Sequence, residues 1–211
     1  MEEMRPRERT APGRERRVGA AKAPTRARAG CFGNTRRGVL LAALCGLLLG
    51  PFAALPGHAE FEEQQVMAAF LFNFVKLVTW PEEAFGGADA PIRVAVLGDD
   101  SFRALLVKSI QGKEAGGRTL EVVGVASIPE ASSAQVLFLP ASQGPRAAMV
   151  ESLVASHVLT VADAESFARD GGMVAFVREG NKLRFEINES AAKKAGLSVS
   201  SRLLRVAKQV H

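Results

Sequence analysis

Cysteine is nearly missing from this chain. It has 2, Cys31 and Cys45, and both fall within the first 59 residues. From residue 60 onward a disulfide framework and a thiolate metal site are therefore excluded. Histidine is also scarce. Beyond residue 59 there are only His157 and His211, far apart in sequence and without an H-E-x-x-H pair, so the ligands zinc needs are lacking. His157 stands just before an expected strand and reads as a structural or surface residue. The 20 Gly and 10 Pro are too few for a collagen-like or low-complexity chain. Only one long apolar run exists, which excludes a multi-pass membrane protein. No phosphate-cradling G-x-x-x-x-G-K-[ST] loop, no G-x-G-x-x-G after the first strand and no G-x-S-x-G elbow occur. With 47% apolar and 23% charged residues, disorder over the whole chain is excluded as well.

The positive charge is unevenly placed. Residues 1–59 carry 11 Lys+Arg against 4 Asp+Glu, whereas residues 60–211 carry 16 against 18. The basic pI thus belongs to the first segment, and a nucleic-acid role for the rest is weak, with no basic stripe interleaved with aromatics. Residues 1–37 are rich in Arg, Ala, Pro and Gly and cannot build a core. Arg36-Arg37 precede an eleven-residue apolar run, Val39–Leu49, short of the roughly 20 that a membrane-spanning helix needs. Pro51 and Pro56 break the segment, and Gly57-His58-Ala59 places small residues at the cleavage positions. Together these predict a secretory signal peptide over 1–59, cut after Ala59, with an uncleaved N-terminal anchor as the alternative. A twin-arginine signal is a weaker reading of Thr35-Arg36-Arg37. Cys45 is no lipoprotein site, because Leu44 precedes it where a small residue is wanted. Residues 1–30 are long for a signal peptide and are open to a second reading, as upstream sequence read from a wrong start. The exported part, 60–211, has 152 residues, and a domain of that size buries roughly 70% of its unfolded-chain surface.

Hydrophobic periodicity predicts a helix over 61–78 with an apolar arc wider than one buried face requires. Phe72 lies outside its main arc, and Trp80-Pro81 ends it. Strands are expected at 92–97, 119–125, 136–139 and 158–161. Helices are expected at 101–111, 146–156 (Met149, Val150, Leu153 and Val154 inward) and near 164–170 before Gly171-Gly172. A hairpin of 173–178 and 182–187 turns at Glu179-Gly180-Asn181, with Leu183, Phe185 and Ile187 on one side and Arg184 and Glu186 on the other. Asn188 caps a helix that stops at Gly196. A last helix carries Leu203, Val206, Ala207 and Val210 on one stripe. Strands alternating with helices predict a single three-layer α/β domain, with a mainly parallel sheet, helices on both faces and a C-terminal antiparallel hairpin.

Two sites are candidates. Asp99-Asp100 ends the first strand, where open α/β sheets bind ligands, and two carboxylates suit Mg²⁺. This pair carries the alternative reading, a small-ligand-binding or Mg-dependent enzyme domain. Its plainer reading is a helix cap with a solvated neighbour, and Asp163 and Glu165 after a later strand read the same way. Lys193-Lys194 is a solvated pair. The second candidate is apolar surface. Phe176, Phe185 and Leu197, with Glu186, are expected to contact a protein partner, and Phe72 a second copy of the chain.

Ala68-Ala69-Phe70-Leu71-Phe72-Asn73-Phe74-Val75-Lys76 with Thr79-Trp80-Pro81 resembles the opening helix of the YfiR/HmsC-like family. Val94-Ala95-Val96-Leu97-Gly98-Asp99-Asp100 with Phe102 resembles its first strand and turn. Gly171-Gly172-Met173, Asn181 to Asn188, Ala191-Ala192, Ala195-Gly196-Leu197 and Ser200 to Leu204 resemble its late signature. The resemblance spans about 66–207 and implies a small periplasmic α/β protein without cofactor or catalysis. Such a protein binds the periplasmic sensor domain of an inner-membrane diguanylate cyclase and holds it inactive, which lowers cyclic di-GMP and biofilm formation. The studied repressor of the family responds to redox state through cysteines; the exported part of this chain has none, so that control is not carried over.

Overall fold

The computed structural model describes residues 56–211. The Arg-rich extension, the arginine pair, both cysteines and the apolar run of the expected export signal lie outside the described residues. The expected cleavage point, after Ala59, falls near the start of the first helix, α1 (Pro56–Leu77). Because α1 starts five residues earlier than its periodicity predicts, no acidic residue occupies its first turn. Among the described residues no helix is long and apolar enough to cross a membrane.

The strands form because β-branched and aromatic runs suit a pleated surface buried on both sides. β2 (Ile92–Leu97), β4 (Arg118–Val125), β5 (Val136–Leu139), β6 (Leu159–Ala162) and β7 (Val174–Glu179) run parallel, in the spatial order β4-β2-β5-β6-β7. β8 (Lys182–Ile187) turns back antiparallel on β7 with Phe176 opposite Phe185. Gly180, at φ 58°, takes the left-handed position that the two-residue turn between them requires. Short β3 (Glu114–Ala115) closes one edge on β4, and β10 (Gln209–Val210) pairs with the end of β8 at the other. A separate ribbon joins β1 (Val78–Thr79) to β9 (Ser198–Val199).

Alternation along the strands divides the core in two. Val94, Val96, Val136, Phe138, Phe176 and Phe185 meet α1 and α2 (Asp100–Ile110) on one face. Ala95, Leu97, Leu137, Leu139, Ala175 and Val177 meet the other layer. That layer is thinner than expected. Residues 147–156 form a 3-10 helix, with Val150 and Leu153 buried three apart and Met149 38% exposed. Three residues per turn puts positions i and i+3 in line, so Val150 and Leu153 face inward while Met149 cannot. Residues 165–171 are turns rather than a helix, although Phe167 and Ala168 are buried. The backbone bonds of this segment close separate turns, among them Phe167 N to Ala164 O at 3.1 Å and Gly172 N to Phe167 O at 2.8 Å, before Gly171 at φ 112° redirects the chain.

Asn188 caps α3 (Glu189–Lys194) as predicted: its Oδ1 accepts from Ala191 N at 2.8 Å, while its Nδ2 donates to Ala168 O at 2.9 Å. Ser200 caps α4 (Ser201–Val206). Of the predicted last stripe Leu203 is buried and Ala207 packs partly buried against the core, but Val206 and Val210 do not. Val206 is 55% exposed, and Val210 leaves the helix for β10.

Candidate functional site

Of the residues expected to meet a partner, all four are interior. Phe176 is 0% exposed, and Phe185 and Leu197 are 2% each. Phe176 and Phe185 belong to an aromatic cluster with Phe70 and Phe74, with ring centroids 5.0–6.2 Å apart. The core reading of Phe185 holds. The exposed reading of Glu186 does not: it is 7% exposed. β10 lies beside it and brings His211 Nε2 to 3.1 Å from Glu186 Oε2. Phe176, Leu197 and Glu186 thus offer little surface to a partner, and Phe185 offers only the part that lines the groove described below. Phe72 is half-buried at the edge of the core, with Lys113 Nζ 4.5 Å and Lys76 Nζ 5.5 Å from its ring centroid. The ring face is thus taken by cations.

The acidic pair folds as a helix start. Asp99 is the N-cap of α2, its Oδ1 accepting from Phe102 N at 2.9 Å and from Ser101 Oγ at 2.8 Å. Asp100 Oδ1 accepts from Arg103 Nη2 at 2.9 Å. Among the described residues no group of three or more His, Cys, Asp and Glu side chains stands ready for a metal. Beside Asp99, at the C-terminal ends of β2, β5 and β6, lies a crevice of about 180 Å³ holding Phe138, Ser142, Asp163 and Arg178. Its cation is already engaged. Arg178 Nη1 and Nη2 donate to the two Asp163 oxygens at 3.0 and 3.3 Å, and Glu63 makes an ion contact on the far side. The hydrogen bonds it donates to Asp163 hold the guanidinium above its ordinary range, against partial burial. His157 ends the 3-10 helix at φ 57°, and its Nδ1 lies 2.7 Å from Ala195 O, tying two layers together.

A larger opening was not foreseen. Between α1, β8 and α4 lies a groove of about 870 Å³. Its floor is Phe70, Leu183 and the edge of Phe185, and its lips are Val66 and Val206. Val66 is 44% exposed and Val206 55%. The wide apolar arc of α1 is the signal that points to it: Phe74 and Leu71 enter the core, whereas Val66 and Phe70 border the groove. Val206 gave no such signal, because its spacing matched a buried stripe.

The family model described as YfiR/HmsC-like matches residues 64–208. The chain belongs to the YfiR/HmsC-like family. The matched span starts within α1 and ends at the approach to β10, so it takes in nearly every element described above. No curated protein matches the chain. Solved structures that resemble it include the following two. One is the ABC domain in complex with L-Trp from Streptococcus pneumonia, at 16% identity and TM-score 0.41, over 57% of this chain and 55% of that one. The other is a conserved domain protein from Vibrio cholerae O1 biovar El Tor, at 12% identity and TM-score 0.44, over 70% of this chain and 60% of that one. The chain therefore spans less than two thirds of the length of either.

Proposed function

We propose that the protein is a periplasmic, non-enzymatic regulator. It binds the periplasmic sensor domain of an inner-membrane diguanylate cyclase and holds it inactive, which lowers cyclic di-GMP and biofilm formation. The observation that carries this reading is the YfiR/HmsC-like match over residues 64–208. The groove between α1, β8 and α4 supports it, since an apolar opening on a domain without a catalytic constellation is suited to a protein partner. Asp99 and Asp100 lend no support to the alternative, because cap and ion-pair contacts already occupy them. Repression requires only that the inactive form of the cyclase be bound more tightly than the active one. A preference of about 5- to 150-fold is the usual scale of such coupling. The first 59 residues export the chain and are removed after Ala59. Deleting the gene in a cell that holds the partner cyclase should raise cyclic di-GMP, and restoring the gene should lower it again. An unchanged level with the cyclase expressed refutes the reading.

A further inference from the structure

The last strands of the sheet leave one stretch of backbone open. Phe185 C=O accepts from Lys208 N at 2.8 Å, so the main-chain groups of Phe185 point away from β7 toward β10. Alternate residues of a strand share that direction, so the N–H and C=O of Leu183 point to the same outer side. The ladder with β10 covers only Glu186 and Ile187. Among the described residues no strand lies beside Lys182, Leu183 and Arg184 on that side. This open edge borders the apolar groove, with Val206 on its far lip.

Natural sheets blunt a free edge with lysine, with short strands or with a covering segment. Here β10 covers half of the edge. The other half carries Lys182 and Arg184, which disfavour pairing with a second basic edge, but it stands beside the exposed valines of the groove. We infer that the open half of β8 accepts an extended segment of the partner as an added strand. Its apolar side chains fill the groove, and its acidic side chains alternate with them toward the basic rim.

Charge selects this occupant. Lys182 and Arg184 line the groove, Lys208 bonds the edge through its backbone N–H to Phe185 O, and Arg205 adjoins Val206 in the chain. Nearby acids are fewer: Glu62 and Glu179, while Glu63 is held by Arg178 and Glu186 by His211. A second copy pairing edge to edge would bring one basic rim against another. The chain's own first 59 residues, with 11 Lys+Arg against 4 Asp+Glu, meet the same repulsion. An acidic–apolar strand of a different protein meets none. Main-chain pairing then supplies affinity, and the groove and rim supply specificity.

This inference rests on the proposed regulatory function, and the experiment separates the two. A fluorescent seven-residue peptide of alternating valine and glutamate is titrated against the protein by anisotropy. It should bind. The same peptide N-methylated on the amides that would face β8, and a valine–lysine peptide, should each bind at least tenfold more weakly. Lys182→Glu with Arg184→Glu should reverse the charge preference, and Val206→Glu, at an exposed site, should abolish binding without unfolding the domain. Binding that ignores N-methylation overturns the strand pairing. So does self-association of the protein that Val206→Glu abolishes. In cells, the same variants should fail to lower cyclic di-GMP. If gene deletion raises cyclic di-GMP and these variants still repress fully, the edge inference fails and the function stands. If deletion has no effect, the function itself fails.

Discussion

Glu186→Lys tests whether β10 holds the edge of the sheet as described. The Glu186 side chain is 9% exposed and that of His211 19%, with 3.1 Å between Oε2 and Nε2. Around them, His211 N donates to Ile187 O at 2.8 Å, and Glu189 N donates to His211 O at 3.1 Å. A lysine here removes the acceptor that His211 uses and places an ammonium against the imidazole. Leaving a buried polar group without its partner costs about 1–3 kcal/mol. The lysine stem can turn its head toward the rim and recover part of that, so the expected loss is about 2 kcal/mol. For a domain of this size each kcal/mol moves Tm by roughly 2–4 °C, which gives a fall of about 4–8 °C. Glu186→Gln keeps an acceptor for His211 and should move Tm by no more than about 3 °C. Thermal unfolding followed by circular dichroism reads both variants, and amide exchange at Lys208 and His211, whose N–H groups bond β8, should quicken in the lysine variant alone. A lysine variant that melts with the wild type would show that Glu186 is solvated and that β10 is not docked.

Three further outcomes are expected. Gly172→Ala should destabilise the domain strongly, because a Cβ there would run into the Phe167 ring; overpacking of this kind costs about 1–3 kcal/mol, read as a drop in denaturant midpoint. Phe72→Glu should leave the domain folded, since its carboxylate lies within reach of Lys76 and Lys113. If Phe72 joins two copies, the variant sediments as a monomer where the wild type sediments as a dimer, and a folded, still dimeric variant rules Phe72 out of the contact. Ser127→Ala should raise the Glu130 pKa toward the ordinary carboxylate value, because the Ser127 hydroxyl and then Ala126 N–H hold it low. A lowered folded pKa stabilises above the ordinary carboxylate range and is lost as pH falls through it. The stability gap between wild type and variant should therefore close in acid, and carboxyl NMR titration reads the pKa itself.

Strands with continuous apolar residues were legible because burial on both faces leaves little freedom in their composition. The caps at Asp99, Asn188 and Ser200 were legible because short polar side chains there do one local job. What failed was everything set by distant chain. β10 has two residues, Gln209 and Val210, with no period to read, yet it buries Glu186 and overturns the wet-side expectation of the hairpin. The segment 147–156 carries apolar residues at spacings of three and four, which fit a 3-10 helix as well as an α-helix until packing decides. The groove was hidden for the same reason. Val66 and Val206 read as core by spacing, and only the positions of α1 and α4 beside β8 leave them uncovered.

Several of the motif residues that carry the family resemblance are spent on the fold. Trp80 Nε1 donates to Gln135 O at 3.0 Å and pins the end of the first helix to the approach to β5. Gly171, at φ 112°, and Gly172 let the chain pass Phe167. Asn188 joins α3 to the turn at Ala168, and Ser200 starts α4. None of these side chains lines the groove. A chain can therefore keep these fold-setting residues and change its partner, because backbone pairing along β8 is indifferent to sequence while Val66, Val206 and, inside the late motif, Lys182 and Arg184 are not. Partner choice within such a fold has to be read from those lip and rim positions. By the same argument, transplanting Val66, Lys182, Arg184 and Val206 onto a relative should move partner specificity with them, whereas transplanting Trp80, Gly171, Gly172, Asn188 and Ser200 should move none.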